Sequence, residues 1–344
     1  MLISALAIVF VFGLLVLVHE FGHFITAKKT GMRVDEFAIG FGPKLASIKK
    51  GETVYSIRAI PLGGFNKIAG MQQGQDEDAG DRAYWARPVW ARMIVILAGS
   101  IMNFILPIVL FAGIFFFNGI QTPSNAPILG KVMSGEPASQ AGLQSGDKIV
   151  SINGESIDSW KGFVEKIQVA DGKVLKIEYL RDDKQMATSV VPKYDEQAKR
   201  VLIGVTAPVD SKAVGFVDSI ILAFTTVIAV IYQMYSALIG MITGSVSAEL
   251  SGPVGVAQMT SQAAHMGIAP LLQFASLLSL NLGVINLLPI PALDGGHFVV
   301  LLAEAIYGKP INPKYVNYIQ MAGIVILLSL MFLATMQDIG RLFN

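Results

Sequence analysis

An apolar run long enough to cross a membrane contains the residues that most constrain this chain. Residues 2–18 have no charged side chain, and the run continues to residue 27. A helix needs about 20 residues to span the hydrocarbon core of a bilayer. His19, Glu20 and His23 lie near the end of this run. Because ionisable side chains are costly inside a membrane, the sequence predicts a membrane helix that bears a functional site.

The spacing of the two histidines indicates which chemistry that site could perform. His19 and His23 are four residues apart, so on a helix they share one face, about one turn apart. Two imidazoles at this spacing can bind one zinc ion, and Glu20 between them can act as a general base. The alternative is a polar patch that binds a neighbouring helix. The run lacks the basic start and the small-residue cleavage site of a removable signal, so we expect it to be retained.

Composition favours an integral membrane protein and narrows the choice of metal ligands. Of the 344 residues, 53% are hydrophobic and only 15% are charged. The formal net charge of +1, without a basic run interleaved with aromatic residues, gives no indication of nucleic-acid binding. The chain has no cysteine, so a zinc ion would have to be bound by histidine and carboxylate side chains.

Three further apolar runs predict membrane helices at residues 93–117, 266–293 and 315–337. The segment 28–92 is rich in lysine and arginine, so the positive-inside rule makes it cytoplasmic and places the histidines near the cytoplasmic end of the first helix. Residues 220–248 are also long enough to cross, but they have a stripe of polar and small residues. We expect them to form an amphipathic helix in the outer interface, because a fifth crossing would reverse the next span. Both termini are then outside.

Short β-runs lie within the basic segment. Residues 45–48 and 53–62 flank the polar turn 49–52 and predict a β-hairpin. The glycines of 61–65 are expected to end its second strand.

A second motif, at residues 286–297, supplies a candidate third ligand. Pro289 and Pro291 interrupt helical hydrogen bonding close to the membrane edge, which is tolerated only where protein or water meets the freed groups. Asp294 follows them as the single carboxylate at that depth. Two histidines and one carboxylate leave a fourth position for water, as in catalytic zinc sites. Asn103, inside the second span, is interpreted as a helix–helix hydrogen-bonding residue, and His265 as a capping or interface residue.

Residues 121–210 have the charges and turn signals of a soluble α+β domain. The segments 137–143 and 146–154 resemble the core of a bacterial PDZ domain. We expect strands at 128–132, 148–152, 174–180 and 189–191 and a helix at 160–169. PDZ domains bind peptides by adding a strand to a sheet edge. Ile128, Leu129 and Gly130 are the candidate groove; the alternative is a steric plug without a ligand.

Taken together, these motifs resemble the site-2 protease family of intramembrane zinc metalloproteases, in its bacterial RseP/RasP-like branch. The resemblance covers essentially the whole chain. It implies a polytopic α-helical membrane protein with four transmembrane helices, a membrane-associated β-hairpin, an interfacial helix and an inserted extracytoplasmic PDZ domain. The expected parts are 1–120, 121–210 and 211–344. The expected location is the bacterial inner (cytoplasmic) membrane, with the active site near its cytoplasmic side.

The resemblance also implies roles for individual residues. His19, His23 and Asp294 would bind one catalytic Zn²⁺, Glu20 would be the base, and Asn286 would hold the substrate backbone. The hairpin looks like the family's membrane-reentrant β-element, which pairs with an unwound substrate strand. Its candidate substrate contacts are Tyr55, Ile57, Gly64 and Phe65.

The implied substrates are single-span membrane proteins within the lipid bilayer, such as anti-sigma factors after a first extracytoplasmic cut, or signal-peptide remnants. A peptide ligand of the PDZ domain is a further expected partner. Two features depart from the family pattern. There is room for one PDZ domain where some relatives have two, and Ser100 stands where proline is usual.

Two other functions are compatible with parts of the sequence. A catalytically silent membrane scaffold could tether partners through the PDZ domain, but it would not need Glu20, Asp294 and both histidines. A zinc peptidase of another family, cleaving in the aqueous phase, usually takes its third ligand from a downstream glutamate, and no such glutamate follows closely here.

Overall fold

The computed structural model describes residues 2–71, 77–196, 199–245 and 252–343. The chain forms two compact units, one of Met1–Phe117 with Gly215–Asn344 and one of Asn118–Val214. The α-helices are α1 (Leu2–Lys29), α2 (Val89–Asn118), α3 (Pro137–Gln140), α4 (Trp160–Gln168), α5 (Phe216–Ile242), α6 (Pro253–Met266), α7 (Ile268–Leu287), α8 (Asp294–Tyr307) and α9 (Pro313–Phe343). The strands are β1 (Val34–Lys50), β2 (Thr53–Ile68), β3 (Ile120–Pro123), β4 (Lys148–Ile152), β5 (Glu155–Ser156), β6 (Leu175–Arg181), β7 (Lys184–Val190), β8 (Lys193–Asp195), β9 (Arg200–Leu202) and β10 (Val209–Lys212).

The first unit is built from helices that a bilayer can accommodate. Five of its described helices, α1, α2, α5, α7 and α9, are long and apolar enough to cross a membrane. Their outward faces are rich in exposed large apolar side chains, as expected where lipid replaces water as the solvent. The chain is therefore a multi-pass membrane protein. The four predicted spans correspond to α1, α2, α7 and α9, and α5 also has the length and composition of a span.

The core of this unit fixes the directions of the helices. Ala7 and Val11 of α1 pack in one cluster with Leu106 of α2 and with Leu271 and Ala275 of α7. At one end of α1, the Ser261 hydroxyl of α6 donates to Ser4 Oγ at 2.7 Å. At its other end, α1 lies beside Gly99 of α2. Since the start of α1 packs with Leu106 and its end lies beside Gly99, which comes earlier in α2, the two helices run antiparallel.

Helices α8 and α9 are fastened to the core by charged or polar contacts. The Arg92 guanidinium of α2 donates to Glu304 of α8, with Nη1 3.1 Å from Oε2, and both side chains are nearly buried. Asp338 of α9 is only 4% exposed and accepts from the backbone N–H groups of Gly252 (3.1 Å) and Gly255 (2.7 Å). A carboxylate at this place satisfies free N–H groups at the start of α6.

Strands β1 and β2 are longer than predicted. The predicted hairpin of 45–48 and 53–62 is extended at both ends, and β2 does not end within 61–65 but continues to Ile68. The reason is a second pairing: residues 36–39 face 54–57 on one side and 64–67 on the other. Gly63, with φ +120°, allows the bend that brings 64–67 back. The edges of this sheet are the segments 44–50 and 64–68.

The second unit has its own core around a four-stranded sheet in the order β5-β4-β6-β7. Phe163 of α4 packs with Ile149 and Ile177 of the sheet, and all three are buried. The Arg181 guanidinium holds the buried Asp147 carboxylate (Nε–Oδ1 2.8 Å), which also accepts from Gln144 N–H.

Three predicted strands and the helix of the second unit are present. The strand 148–152 is β4 with the predicted bounds; 174–180 is β6, 189–191 overlaps the end of β7, and the helix is α4, each with shifted bounds. The prediction for 128–132 is wrong as a strand. Only the isolated bridges Ile128–Lys148 and Val132–Val205 form there, because the backbone crosses between two partners.

Candidate metal centre

Two histidines of one helix and an aspartate from the other end of the chain bring their donor atoms together in the first unit. His19 Nε2 and His23 Nε2 are 3.1 Å apart on α1. Asp294 Oδ2, at the start of α8, is 3.5 Å from His19 Nε2 and 3.7 Å from His23 Nε2. The two histidine side chains are each 12% exposed and the aspartate 17%. In the described ranges this is the one group of three histidine or carboxylate ligands placed to share a metal ion.

These distances fit a single zinc ion. Nitrogen and oxygen ligands lie about 2.0–2.2 Å from zinc, so two ligands of a tetrahedral site are about 3.3–3.6 Å apart. The three observed separations surround that range. A site with three protein donors leaves one tetrahedral position open, which is the arrangement of catalytic rather than structural zinc.

Glycines let helix α2 approach the histidines. A Cβ atom at Gly99 would lie 2.3 Å from His23 Nε2 and 2.7 Å from His19 Cε1. One at Gly22 of α1 would lie 2.4 Å from Ala98 O. No L side chain fits at either place, so both glycines are needed for the centre to have these walls.

The ring nitrogens that point away from the centre are held by α2. His23 Nδ1 donates to Val95 O at 2.7 Å. His19 Nδ1 is 3.0 Å from the Asn103 amide, which is fully buried and whose Oδ1 has no hydrogen-bond partner in the described part of the chain. A histidine that binds metal through Nε2 keeps its proton on Nδ1. If the side-chain amide of Asn103 is turned by 180°, so that its nitrogen and oxygen exchange places, Oδ1 accepts the proton on His19 Nδ1.

Asn103 therefore has a second role besides the predicted one. It does connect two helices, as expected, but the residue that it contacts is His19, one of the three candidate ligands. The helical period could place Asn103 on an inward face of α2, yet the sequence alone could not indicate that His19 lies opposite.

The carboxylate ligand is reached through a tight turn between α7 and α8. Residues 288–293 connect these helices, and Asp294 is the first residue of α8. Its Oδ2 accepts a hydrogen bond from Ser100 Oγ of α2 at 3.1 Å. A Cβ atom at Gly296 would lie 2.3 Å from Ile290 O, so the first turn of α8 is folded directly onto this connection.

Glu20 is held beside the centre by a residue that sequence reasoning missed. Asn66 of β2 donates through Nδ2 to Glu20 Oε2 at 2.8 Å and to Glu20 O at 2.6 Å. The predicted residue Gly64 is adjacent: a Cβ atom there would lie 3.4 Å from Glu20 Cγ. The edge segment 64–68 thus borders Glu20, the candidate base. No periodicity in the sequence announces this contact, because β2 reaches it only after its bend.

The other predicted substrate residues have different surroundings. Phe65 neighbours Gly64 in β2 and stacks on Phe41, with ring centroids 6.3 Å apart. Tyr55 contacts Phe24 of α1 at 5.8 Å, so it belongs to the packing between helix and sheet. Ile57 is 54% exposed and pairs with both Ile39 and Ala46, on an inner strand of the sheet. Asn286 is half-buried in the last turn of α7.

The predicted groove residues of the second unit are engaged within it. Leu129 is 1% exposed in the core. The N–H groups of Ile128, Leu129 and Gly130 donate to the carbonyls of Ala126, Asp147 and Thr206. These three donors are used within the unit.

Known proteins match this chain over nearly its whole length. A model of the family described as Peptidase family M50 matches residues 7–330. The chain is 34% identical to the Regulator of sigma-W protease RasP of Bacillus subtilis, over 99% of both chains. It is also 34% identical to the Zinc metalloprotease RasP of Bacillus licheniformis, again over 99% of both. Among solved structures, the PDZ domain of an SdrC-like protein from Listeria monocytogenes matches 26% of this chain and 93% of that domain, with 24% identity and a TM-score of 0.22.

Proposed function

Because the chain belongs to Peptidase family M50, the site-2 protease family, we propose that His19, His23 and Asp294 bind the catalytic zinc of an intramembrane protease whose general base is Glu20. The observation that supports this proposal is the meeting of three donor atoms within 3.7 Å, from two helices at opposite ends of the chain. A silent scaffold has no need for a ligand set with an open position.

The chain's own residues supply the rest of the chemistry. A bound zinc ion polarises a carbonyl and lowers the pKa of water. Glu20 accepts the proton of the attacking water and delivers it to the leaving amine. Asn66 fixes the Glu20 carboxylate through its Nδ2 donor, so the base is oriented before substrate binds. Asn103 and the Val95 carbonyl hold the two imidazoles in the orientation that metal binding requires.

The proposed substrate is a transmembrane segment, presented as a strand. Amide carbonyls in a helix are hydrogen-bonded internally, so the segment must unwind before water can attack. The edge 64–68 of the β1–β2 sheet borders Glu20 through Gly64 and Asn66. We assign strand addition to the edge at Gly64 and Phe65, with Asn286 as a further contact to the substrate backbone.

A four-span topology is proposed for the membrane unit. Ser261, near the end of α6, contacts Ser4, whereas Asp294, beyond the end of α7, meets His19 and His23. Helix α7 therefore runs in the same direction as α1, as four spans require. By the positive-inside rule, the basic segment 28–92 is cytoplasmic and the second unit extracytoplasmic.

Helix α5 is assigned to the outer interface on the basis of chain length. Its first residue, Phe216, contacts Phe116 at the end of α2, and the start of α6 is held by Asp338 of α9. Asp338 is 18 residues beyond Gln320, a helical rise of about 27 Å from the level of Ala292. The seven peptide units from Ser245 to Gly252 reach at most about 25 Å, less than the ~30 Å core that a crossing helix would have to recross.

The second unit is proposed to act as a PDZ domain on the extracytoplasmic side, either as a receptor for peptides at the segment 128–130 or as a size barrier. A peptide with a free carboxylate, titrated into the full chain in micelles, tests the receptor role. Changes in the amide NMR signals of Leu129 and Gly130 support the receptor role. Unchanged signals at a saturating peptide concentration exclude that role and favour the size barrier.

Three variants test the proposed centre on the purified full chain in micelles. Glu20→Gln should keep stoichiometric zinc and lose cleavage of a single-span substrate by at least about 100-fold, because the amide cannot accept a proton. His23→Ala and Asp294→Asn should lose zinc. His265→Ala is the matched control, since His265 contacts Ser4 at the other end of α1. Residual cleavage by Glu20→Gln would exclude Glu20 as the base, and wild-type zinc content in Asp294→Asn would exclude Asp294 as a ligand.

A further inference from the structure

The connection that delivers Asp294 contains a strained residue. Ala292 has φ +75°, a backbone conformation that residues other than glycine, asparagine and aspartate rarely adopt. It is the one non-glycine residue with positive φ in the described part of the membrane unit. Ala292 is two residues before Asp294, so relaxation of its backbone would move the carboxylate. Strain of this kind persists only where neighbouring groups hold it.

Helix α9 supplies those groups. The side-chain oxygen Oε1 of Gln320 accepts a hydrogen bond from the backbone N–H of Ala292. About one turn further along α9, Gly323 lies against Pro291, the residue before Ala292. A Cβ atom at Gly323 would be 2.3 Å from Pro291 O and 2.6 Å from Pro291 Cβ. The backbone of α9 therefore touches the connection, and Gln320 bonds to its strained peptide.

The Gln320 side chain has no other bond among the described residues. Its Nε2 atom is buried and without a hydrogen-bond partner. A polar amide within an apolar span is costly. Since only its oxygen is used, and used on Ala292, the contact with the connection accounts for a polar residue at this position.

We infer that Gln320 is a positioning residue for the aspartate ligand: by holding Ala292 at positive φ, it fixes the place from which Asp294 reaches the metal. Helix α9, which provides no ligand, thereby sets the geometry of the centre. This inference rests on the proposed role of Asp294 as a zinc ligand.

The test is the zinc dissociation constant of the full chain in micelles, measured by competition with a chelator. Gln320→Leu removes the acceptor, keeps the volume and suits the membrane; it should weaken zinc binding about 10-fold. Gln320→Glu retains an acceptor oxygen and should restore most of the affinity. Ser329→Ala, on the same helix, is the matched control because Ser329 bonds only to Val325 O of its own helix; its affinity should equal that of the wild type.

A double variant separates positioning from general damage. Glycine adopts positive φ without strain, so in an Ala292→Gly background the loss caused by Gln320→Leu should be clearly smaller than 10-fold. An equal loss in both backgrounds, a wild-type affinity of Gln320→Leu, or an equal loss in Ser329→Ala overturns the inference. Asp294→Asn distinguishes the two levels of the argument. If it binds zinc normally, the ligand assignment fails; if it loses zinc while Gln320→Leu does not, only the positioning role fails.

Discussion

Single residues of α2 hold the side chains that we propose as metal ligands. Ser100 and Asn103 are both fully buried; Ser100 donates to Asp294 and Asn103 faces His19. Ser279 of α7 in turn donates to the backbone carbonyl of Asn103 at 2.8 Å. Partners of metal ligands fix the orientation of those ligands and their readiness to bind. The Ser100 hydroxyl supplies such a bond where proline could not.

Ser100→Ala should therefore weaken zinc binding by about 10-fold without unfolding the protein. The variant leaves Asp294 with one donor fewer, and the small cavity of a missing hydroxyl costs little in packing. The matched control is Ser276→Ala, a fully buried serine whose hydroxyl bonds to Leu272 O of its own helix. Chelator competition measures both. Equal zinc affinity in Ser100→Ala and wild type would mean that the bond to Asp294 has no influence on the metal.

A functional residue could be predicted from the sequence where the pattern that identifies it lies within a few neighbouring positions. His19, Glu20 and His23 announce themselves by spacing within one helical turn, and Asp294 by being the single carboxylate in its apolar surroundings. Asn66 and Ser100 could not be identified, because their partners are far away in sequence and asparagine and serine have many uses.

Among the elements, the β1–β2 sheet is connected to its surroundings by charge. Glu52, in the turn between the strands, accepts from Arg82 (Nη1–Oε2 2.7 Å, Nη2–Oε1 2.8 Å) and pairs with Lys28 at the end of α1. The Arg82 guanidinium and then the Lys28 ammonium lower the pKa of Glu52 from its ordinary 4.5 to about 2. The turn is thereby linked to both flanking segments.

The lowered pKa gives a pH dependence of defined sign. Because the folded carboxylate has the lower pKa, its stabilisation is complete above about pH 4.5 and is lost as the pH falls toward about 2. Glu52→Gln should lower the free energy of unfolding at pH 7 by about 1 kcal/mol or less, because the ion pairs of Glu52 with Arg82 and Lys28 are partly exposed. The difference between variant and wild type should vanish near pH 2.

Thermal unfolding in micelles from pH 7 to pH 2 measures the difference. Glu165→Gln is the control, as Glu165 is 65% exposed and lies 3.9 Å from Lys161. A stability difference that persists unchanged to pH 2 would show that Glu52 acts through packing rather than charge.

Element types were more predictable than element bounds. The long helices follow from uninterrupted apolar runs, which a bilayer restricts to helix. The β2 strand was predicted too short, because its continuation past Gly63 depends on pairing with residues 36–39, a tertiary contact. The segment 128–132 has a strand-like composition, yet it forms only isolated bridges, since its neighbours compete for its backbone.

At the scale of the whole molecule, the position of Asp294 constrains the topology. It must share the membrane depth of His19 and His23, so an even number of crossings separates the end of α2 from the start of α7. The apolar composition of α5 cannot decide this by itself, because length and hydropathy describe spanning and interfacial helices alike. The common metal that we propose excludes a single crossing between α2 and α7, and the short chain from Ser245 to Gly252 favours an interfacial α5 over a crossing one.

Cysteine labelling checks this arrangement, and the chain has no cysteine of its own. Ser211→Cys, in the second unit, and Met266→Cys, 68% exposed at the end of α6, should both react with a membrane-impermeant thiol reagent from outside. Tyr307→Cys, 73% exposed at the end of α8, should react only after the membrane is permeabilised. Labelling of Met266→Cys only after permeabilisation would contradict four spans and the ligand role of Asp294 together.

The distance in sequence between the ligands has a consequence for biosynthesis. The ribosome completes His23 long before Asp294, and the 271 residues from 24 to 294 take about 14–54 s to add at 5–20 residues per second. During that interval the newly inserted α1 and α2 have two imidazoles but no third ligand, and Arg92 still lacks Glu304. With Asp294 as the proposed third ligand, the metal centre cannot close, and cleavage cannot begin, until the start of α8 has joined α1 and α2.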